Sequence, residues 1–194
     1  MATEGCMTSF VARTRLQWDF YEWLTKKEGY VPVDRVVSGQ GIASWYEFLT
    51  HTDEGTLHLQ ANGVSASPRP DIDDAVSQSD QPAAVVASSG NPSEINADPI
   101  CCFAIDCFLE TLGQEAANMG MRFLALGGVY IAGGGIAAKL LDRIKDGRVR
   151  KAYLDQGAAS DVIRGVPLYV SDMPDMGMRG ALEAAKAAAH AATP

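Results

Sequence analysis

The sequence has 194 residues and a mass of 20.6 kDa, the size of one domain or of one domain with an appendage. Hydrophobic residues make up 47% and charged residues 21%, so the chain has the means to bury a sizeable core, which excludes wholesale disorder. The 24 acidic and 16 basic residues give a net charge of −8, which argues against nucleic acid or an anionic lipid surface as a partner.

The first fifty residues contain two predicted helices with a glycine-containing loop between them. Apolar residues recur at helical spacing between Thr14 and Glu28, and Gly29 stands where such a helix ends. The valine-rich segment 31–37 is expected to be extended or turned and to run into a glycine loop at 38–41. Residues 42–49, with three aromatic side chains, predict the second helix.

The composition changes between residues 51 and 97. Serine, proline and acidic residues alternate there, aromatic residues are few, and only one short apolar run occurs, at 83–87. Such a segment buries little surface to offset the entropy of ordering it. We therefore expect residues 51–97 to be a low-complexity surface insertion that is poorly ordered.

Residues 98–194 predict alternating helices and strands. Asp98 and Pro99 are typical of a helix start, and a long helix is expected from Ile100 to about Met119. Residues 129–132 predict a buried central strand that opens onto the glycines Gly133 to Gly135, and residues 166–170 predict a second strand. This alternation favours an α/β fold with a mainly parallel sheet and flanking helices. The glycine turn either brings the backbone close to a ligand or only allows tight packing.

No catalytic or metal-ligating residue is assigned from these patterns. His51 and His58 are interpreted as solvated side chains, and the acidic residues 71–74 as a solvated charge run. The clustered cysteines, Cys101, Cys102 and Cys107, form no zinc-type pair and are expected to be small apolar helix residues in a reducing compartment. No apolar run is long enough for a membrane span and no secretory pattern opens the sequence, so we expect a soluble cytoplasmic protein.

Four segments in this order resemble the bacterial-type glucokinases. They are EGCMTSF at 4–10, VDRVVSGQGI at 33–42, GGVYIAGG at 127–134, and VPLYV at 166–170 followed by GMRGA at 177–181. Each segment alone is a weak indication of the family, and the resemblance is specific because all four occur in the same order. The resemblance implies the actin-like ATPase fold of sugar kinases, with residues 1–50 and 98–194 forming most of the larger, C-terminal lobe around the insertion.

The resemblance also implies site residues. The sugar-binding Glu of the family's Glu-Gly-Gly-His element falls on Glu4, and its His falls on Met7, which has no N–H to donate. The family's second sugar-binding Glu falls on Asp34, which is one methylene shorter. Gly133 and Gly134 match the turn that packs near adenosine.

The cofactors implied by the resemblance are ATP and Mg²⁺, and the implied substrate is glucose or a related hexose. The family's phosphate loops and its Asp general base precede the position matched by Glu4, so this chain is expected to bind adenine nucleotides weakly and to be inactive alone. A separate N-terminal kinase lobe or a second copy of the chain is an expected partner. Two alternatives stay open: a non-catalytic binding or assembly module, and a hexose sensor without turnover.

Overall fold

The computed structural model describes residues 4–132, 139–173 and 175–191 of the chain. Two compact units are present, Met1–Glu115 (unit 1) and Ala116–Pro194 (unit 2). This division differs from the three segments expected from composition, because residues 51–97 fold together with the residues before them. In chain order the elements are a 3-10 turn (Gly5–Met7), α1 (Arg15–Glu28), α2 (Val33–Val36), α3 (Gly39–His51), α4 (Asp53–Ala61), α5 (Pro70–Gln78), α6 (Pro82–Ser89), α7 (Pro99–Arg122), β1 (Val129–Ile131), α8 (Leu141–Lys145), α9 (Arg148–Leu154), a 3-10 turn (Gly157–Ala159), α10 (Ser160–Arg164), β2 (Leu168–Val170) and α11 (Met176–Ala191).

The core of unit 1 is built on aromatic side chains from α1 and α3. The Phe20 ring stacks on Trp45 with 3.7 Å between centroids, and Phe48 meets both rings edge-on. All three side chains are fully buried. The first helix was predicted from its apolar spacing and the second from its aromatic residues, which supply these core side chains.

The segment between these helices differs from its prediction. Val33–Val36 is one helical turn rather than an extended stretch, and the expected glycine loop is the first turn of α3, which begins at Gly39. A Cβ at Gly41 would lie 1.8 Å from the Val36 carbonyl oxygen, so the glycine is needed for close packing of α2 on α3. Gly41 therefore marked a close helix contact here and not a loop.

Residues 51–97, which were expected to be a poorly ordered insertion, contain three helices in the structure. They form α4, α5 and α6, which bury Leu59, Ile72 and Val86 respectively. Glycine permits close approach again: a Cβ at Gly55 would lie 2.1 Å from the Phe48 carbonyl oxygen, and one at Gly90 would lie 2.5 Å from the Ile105 side chain. One apolar residue in each short helix hardly changes the average hydrophobicity of the segment. That single residue is nevertheless enough to attach each helix to a core supplied by other segments.

The start of α7 was predicted correctly. The buried Asp98 carboxylate accepts a hydrogen bond from the Cys101 backbone N–H at 2.8 Å, which caps the helix, and Pro99 is its first residue. Cys101 and Cys107 are buried and Cys102 is half-buried, so these residues are helical as expected. Burial, followed by the charge of Asp98, raises the pKa of the Cys101 thiol well above its usual range.

Unit 2 contains a two-stranded parallel sheet among the residues described. Val129, Tyr130 and Ile131 of β1 pair with Leu168, Tyr169 and Val170 of β2. Only Ile131 of β1 is buried, while Tyr130 is 63% exposed and stacks on Tyr169 at 4.8 Å, so the expectation of a strand buried on both faces is wrong at Tyr130. The core lies on the other side of the sheet, where Tyr153, Ile163 and Val166 pack against α7 residues of the same unit.

Candidate functional site

Backbone hydrogen bonds attach the N-terminal residues to the connection between α1 and α2. The Phe10 N–H donates to the Val31 carbonyl at 3.1 Å, and the Val33 N–H donates to the Thr8 carbonyl at 2.8 Å. Ser9 and Pro32 form an antiparallel bridge between these bonds. The 3-10 turn at Gly5–Met7 is thus held against α2.

Tyr30 fixes the same turn through its side chain. Its hydroxyl donates to the Met7 carbonyl at 2.6 Å and accepts from the Ser9 hydroxyl at 3.4 Å. Tyr30 is 58% exposed, and no motif pointed to it. The sequence offered one signal for this role: Tyr30 is an aromatic residue directly after Gly29, where α1 ends.

The two carboxylates singled out from the sequence lie on these neighbouring elements. Glu4 immediately precedes the 3-10 turn, where its carbonyl accepts from the Met7 N–H at 2.9 Å, and Asp34 lies in the first turn of α2. Both side chains are exposed, and so is Met7, the residue at which the resemblance implies a His. The structure brings the elements that carry Glu4 and Asp34 into contact although 30 positions separate them in the sequence.

An ion pair next to Asp34 anchors α2 to the end of α1. The Arg35 guanidinium donates to both carboxylate oxygens of Glu28, at 2.8 and 2.5 Å. These hydrogen bonds from Arg35 hold the pKa of Glu28 below its usual value, against the opposing effect of partial burial. The pair therefore sets the position of the turn from which Asp34 projects.

His58 is not the solvated side chain that was expected. Its Nε2 lies 2.8 Å from the Asp19 carboxylate, and Arg15 donates to the same carboxylate at 3.0 Å through Nε and contacts it at 2.7 Å through Nη2. Burial alone raises the pKa of Asp19, but the hydrogen bonds from His58 and Arg15 outweigh it and leave the pKa lowered. Asp19 belongs to α1 and His58 to α4. This cluster therefore attaches α4, a helix that was not predicted from the sequence, to the core of unit 1.

The remaining predictions concern nucleotide binding, metal binding and membrane spans. Gly133 and Gly134, the predicted adenosine-side turn, lie outside the described residues. Within residues 4–132, 139–173 and 175–191 no group of three or more His, Cys, Asp or Glu side chains is arranged to hold a metal ion. Across the same residues, no helix has the length and apolar character needed to cross a bilayer.

Comparison with known proteins identifies the family. The family model described as "Glucokinase" matches residues 1–188. The chain belongs to the glucokinase family. Among curated relatives, the glucokinase of Synechocystis sp. is 32% identical over 93% of this chain and 50% of its own length, and that of Trichormus variabilis is 27% identical over 92% and 52%. The chain therefore spans about half the length of the curated glucokinases it matches.

Solved structures support the same fold. A glucokinase from an Antarctic psychrotroph superposes with a TM-score of 0.60 at 25% identity, over 88% of this chain and 46% of that one. A glucokinase from Balamuthia mandrillaris, solved in complex with glucose, superposes with a TM-score of 0.64 at 18% identity, over 90% of this chain and 44% of that one. The fold is that of the sugar kinases, here mostly helical with a small parallel sheet.

Proposed function

We propose that this chain provides the hexose-binding part of an ATP-dependent glucokinase, which converts glucose to glucose 6-phosphate. The observation that carries the proposal is the attachment of the Glu4 turn to the Asp34 helix, within a chain of the glucokinase family. Two exposed carboxylates on adjoining elements offer acceptors for sugar hydroxyl groups.

Each carboxylate has a distinct part in this site. Glu4 occupies the position of the family's first sugar-binding Glu, and its oxygens accept hydrogen bonds from hydroxyl groups of the hexose. Asp34 does the same from α2 with a side chain one methylene shorter. Met7 supplies no N–H donor where the family has His, so the hexose loses one hydrogen bond. We expect weak glucose binding for this reason.

Glucose titration by calorimetry tests the site. Glu4→Gln and Asp34→Asn should each weaken glucose binding about tenfold, since a hydrogen bond to a charged acceptor contributes roughly 1.5–3 kcal/mol. Glu54→Gln is the matched control, because Glu54 is an exposed carboxylate in the first turn of α4 of the same unit. Equal effects of all three variants would contradict the proposal.

We also propose that this chain alone does not phosphorylate glucose. The positions carried over from the family provide sugar acceptors and an adenosine-side turn at Gly133 and Gly134, but neither a phosphate loop nor a general base. Phosphoryl transfer depends on positioning Mg-ATP and activating the hydroxyl. ADP and adenosine should bind about equally weakly, and Gly134→Leu should abolish that binding; much tighter binding of ATP than adenosine would contradict this.

A non-catalytic binding module is the alternative, and the Met7 side chain at the His position favours it. A separately produced N-terminal glucokinase lobe distinguishes the two proposals when glucose 6-phosphate is followed over time. Activity that appears only in the mixture and falls on Glu4→Gln supports the kinase, whereas silence in the mixture supports the module. Turnover by this chain alone would refute the inactivity.

A further inference from the structure

A concave site lies within unit 2, bounded by α8, α9, α10 and β2. Its volume is about 430 Å³, within the range of about 300–1,000 Å³ of small-molecule sites. The VPLYV segment at 166–170 supplies part of its lining, whereas Glu4 and Asp34 belong to unit 1. It is therefore separate from the hexose site that the family resemblance implies.

The floor of this cavity is apolar. Val149 and Val166 are buried, and Tyr153 is 1% exposed with its hydroxyl donating to the Val166 carbonyl at 3.0 Å. That bond satisfies the hydroxyl of Tyr153, so its buried polar group is already paired. The floor thus offers van der Waals contact to an apolar body.

The rim of the cavity is cationic. Its charged lining residues are Lys145, Arg150 and Arg164, and none of the described residues that line it is acidic, although the whole chain has a net charge of −8. Arg164 pairs with the exposed Asp161 at 2.5 Å. Lys145 and Arg150 are exposed and have no carboxylate within ion-pair distance among the described residues. A concentration of one sign of charge over a low-dielectric floor attracts an oppositely charged ligand.

The backbone between α8 and α9 explains how the cations come to one rim. Gly147 has φ +101°, a left-handed conformation that side chains other than glycine rarely adopt. The turn at Gly147 ends α8 shortly after Lys145 and starts α9 shortly before Arg150. Both cations therefore border the same cavity.

We propose that this cavity binds a small organic phosphate, with the phosphate at Lys145 and Arg150 and the apolar part of the molecule on the floor formed by Val149 and Val166. Arg in particular suits phosphate because its guanidinium donates two parallel hydrogen bonds. The proposal is independent of the hexose site, since the two use different residues in different units.

Amide chemical-shift mapping of the full chain tests this with phenyl phosphate, which joins one phosphate to one apolar ring. We expect shifts confined to the amides of α8, α9 and β2, saturable binding, and binding at least about tenfold weaker for inorganic phosphate, which lacks the apolar part. Shifts centred elsewhere, or no saturable shift, would overturn the proposal. The mapping uses the unaltered chain, so it decides the question even if a variant fails to fold.

A charge variant tests the role of the cations. Lys145→Gln with Arg150→Gln should weaken phenyl phosphate at least about tenfold, because charged donors are lost. The control is Lys151→Gln, an exposed cation on α9 that does not line the cavity. Equal weakening by the control would show a general charge effect and overturn the assignment.

Discussion

The Asp19 cluster offers the sharpest test of how the 51–97 segment is held in unit 1. The Asp19 carboxylate is 8% exposed and lies between Arg15 on its own helix and His58 on α4. Asp19→Asn removes the charge but keeps the size of the side chain. It should therefore loosen the attachment of α4 without opening a cavity.

The two contacts contribute unequally. The His58 side chain is 18% exposed, so its hydrogen bond to a nearly buried carboxylate contributes roughly 1.5–3 kcal/mol. The Arg15 side chain is 77% exposed, and solvent screening limits its ion pair to about 1 kcal/mol or less. The asparagine amide retains part of the hydrogen bonding. We expect Asp19→Asn to lower the free energy of unfolding by about 2 kcal/mol.

Urea unfolding followed by tryptophan fluorescence measures this change. The three tryptophans, Trp18, Trp23 and Trp45, all belong to unit 1, so the signal reports the unit that contains the cluster. Asp74→Asn is the control, since Asp74 is an exposed carboxylate on α5. A loss for Asp19→Asn no larger than that of the control would refute the reasoning.

The sign of the pH dependence follows from the lowered pKa of Asp19. A carboxyl whose native pKa is depressed stabilises the folded state fully above its unfolded pKa, about 4, and loses that contribution as pH falls through the native pKa. The difference between the natural chain and Asp19→Asn should therefore be largest near neutral pH and shrink in acid. A difference that grew in acid would contradict the lowered pKa.

Three further changes test other parts of the account. Val86→Asp puts a charge at a fully buried position of α6 and should cost unit 1 about 3 kcal/mol or more, measured by urea unfolding. Arg35→Gln breaks the half-buried pair with Glu28 and should cost about 1 kcal/mol near neutral pH, and less in acid because the pKa of Glu28 is lowered. Asp34→Glu and Met7→His restore the family's residues and should together tighten glucose binding about tenfold in calorimetry.

Each of these changes has a matched control or a contradicting result. Ser88→Asp adds the same charge at an exposed position of α6 and should cost little; a cost equal to that of Val86→Asp would contradict the packing of α6. Lys26→Gln, at an exposed ion pair on α1, is the control for Arg35→Gln. An equal loss of unfolding free energy in the two variants would contradict a stabilising role of the Arg35–Glu28 pair beyond that of an exposed ion pair. Unchanged glucose affinity after restoring both family residues would argue against the hexose site.

The parts of the fold that sequence reasoning found have strong local signals. The apolar spacing of α1 and the Asp98–Pro99 start of α7 each carry their own information, and the structure confirms both. The family resemblance came from four short motifs in the right order, and the match over residues 1–188 confirms it. Helix spacing, helix-start residues and the order of motifs can all be identified in the sequence without knowledge of tertiary contacts.

The parts that were missed depend on contacts distant in sequence. Segment 51–97 has low average hydrophobicity, and its helices are ordered because Leu59 and Val86 enter a core supplied by other segments. His58 contacts Asp19, which lies 39 positions away in the sequence, and no periodicity in the sequence predicts such a contact. Tyr130 shows the converse: an apolar strand sequence predicts burial on both faces, while the structure leaves one face of β1 exposed. Composition averages conceal the single residues that decide such cases.

Amide chemical-shift mapping with glucose tests the central claim most directly, because it locates the sugar as well as measuring affinity. The account predicts saturable shifts at the Gly5–Met7 turn and at α2 (Val33–Val36) together, since the Thr8 and Val33 backbone groups couple these elements. It further predicts that Glu4→Gln removes the shifts in both elements. Shifts confined to unit 2, or shifts that persist unchanged in Glu4→Gln, would contradict a hexose site at Glu4 and Asp34.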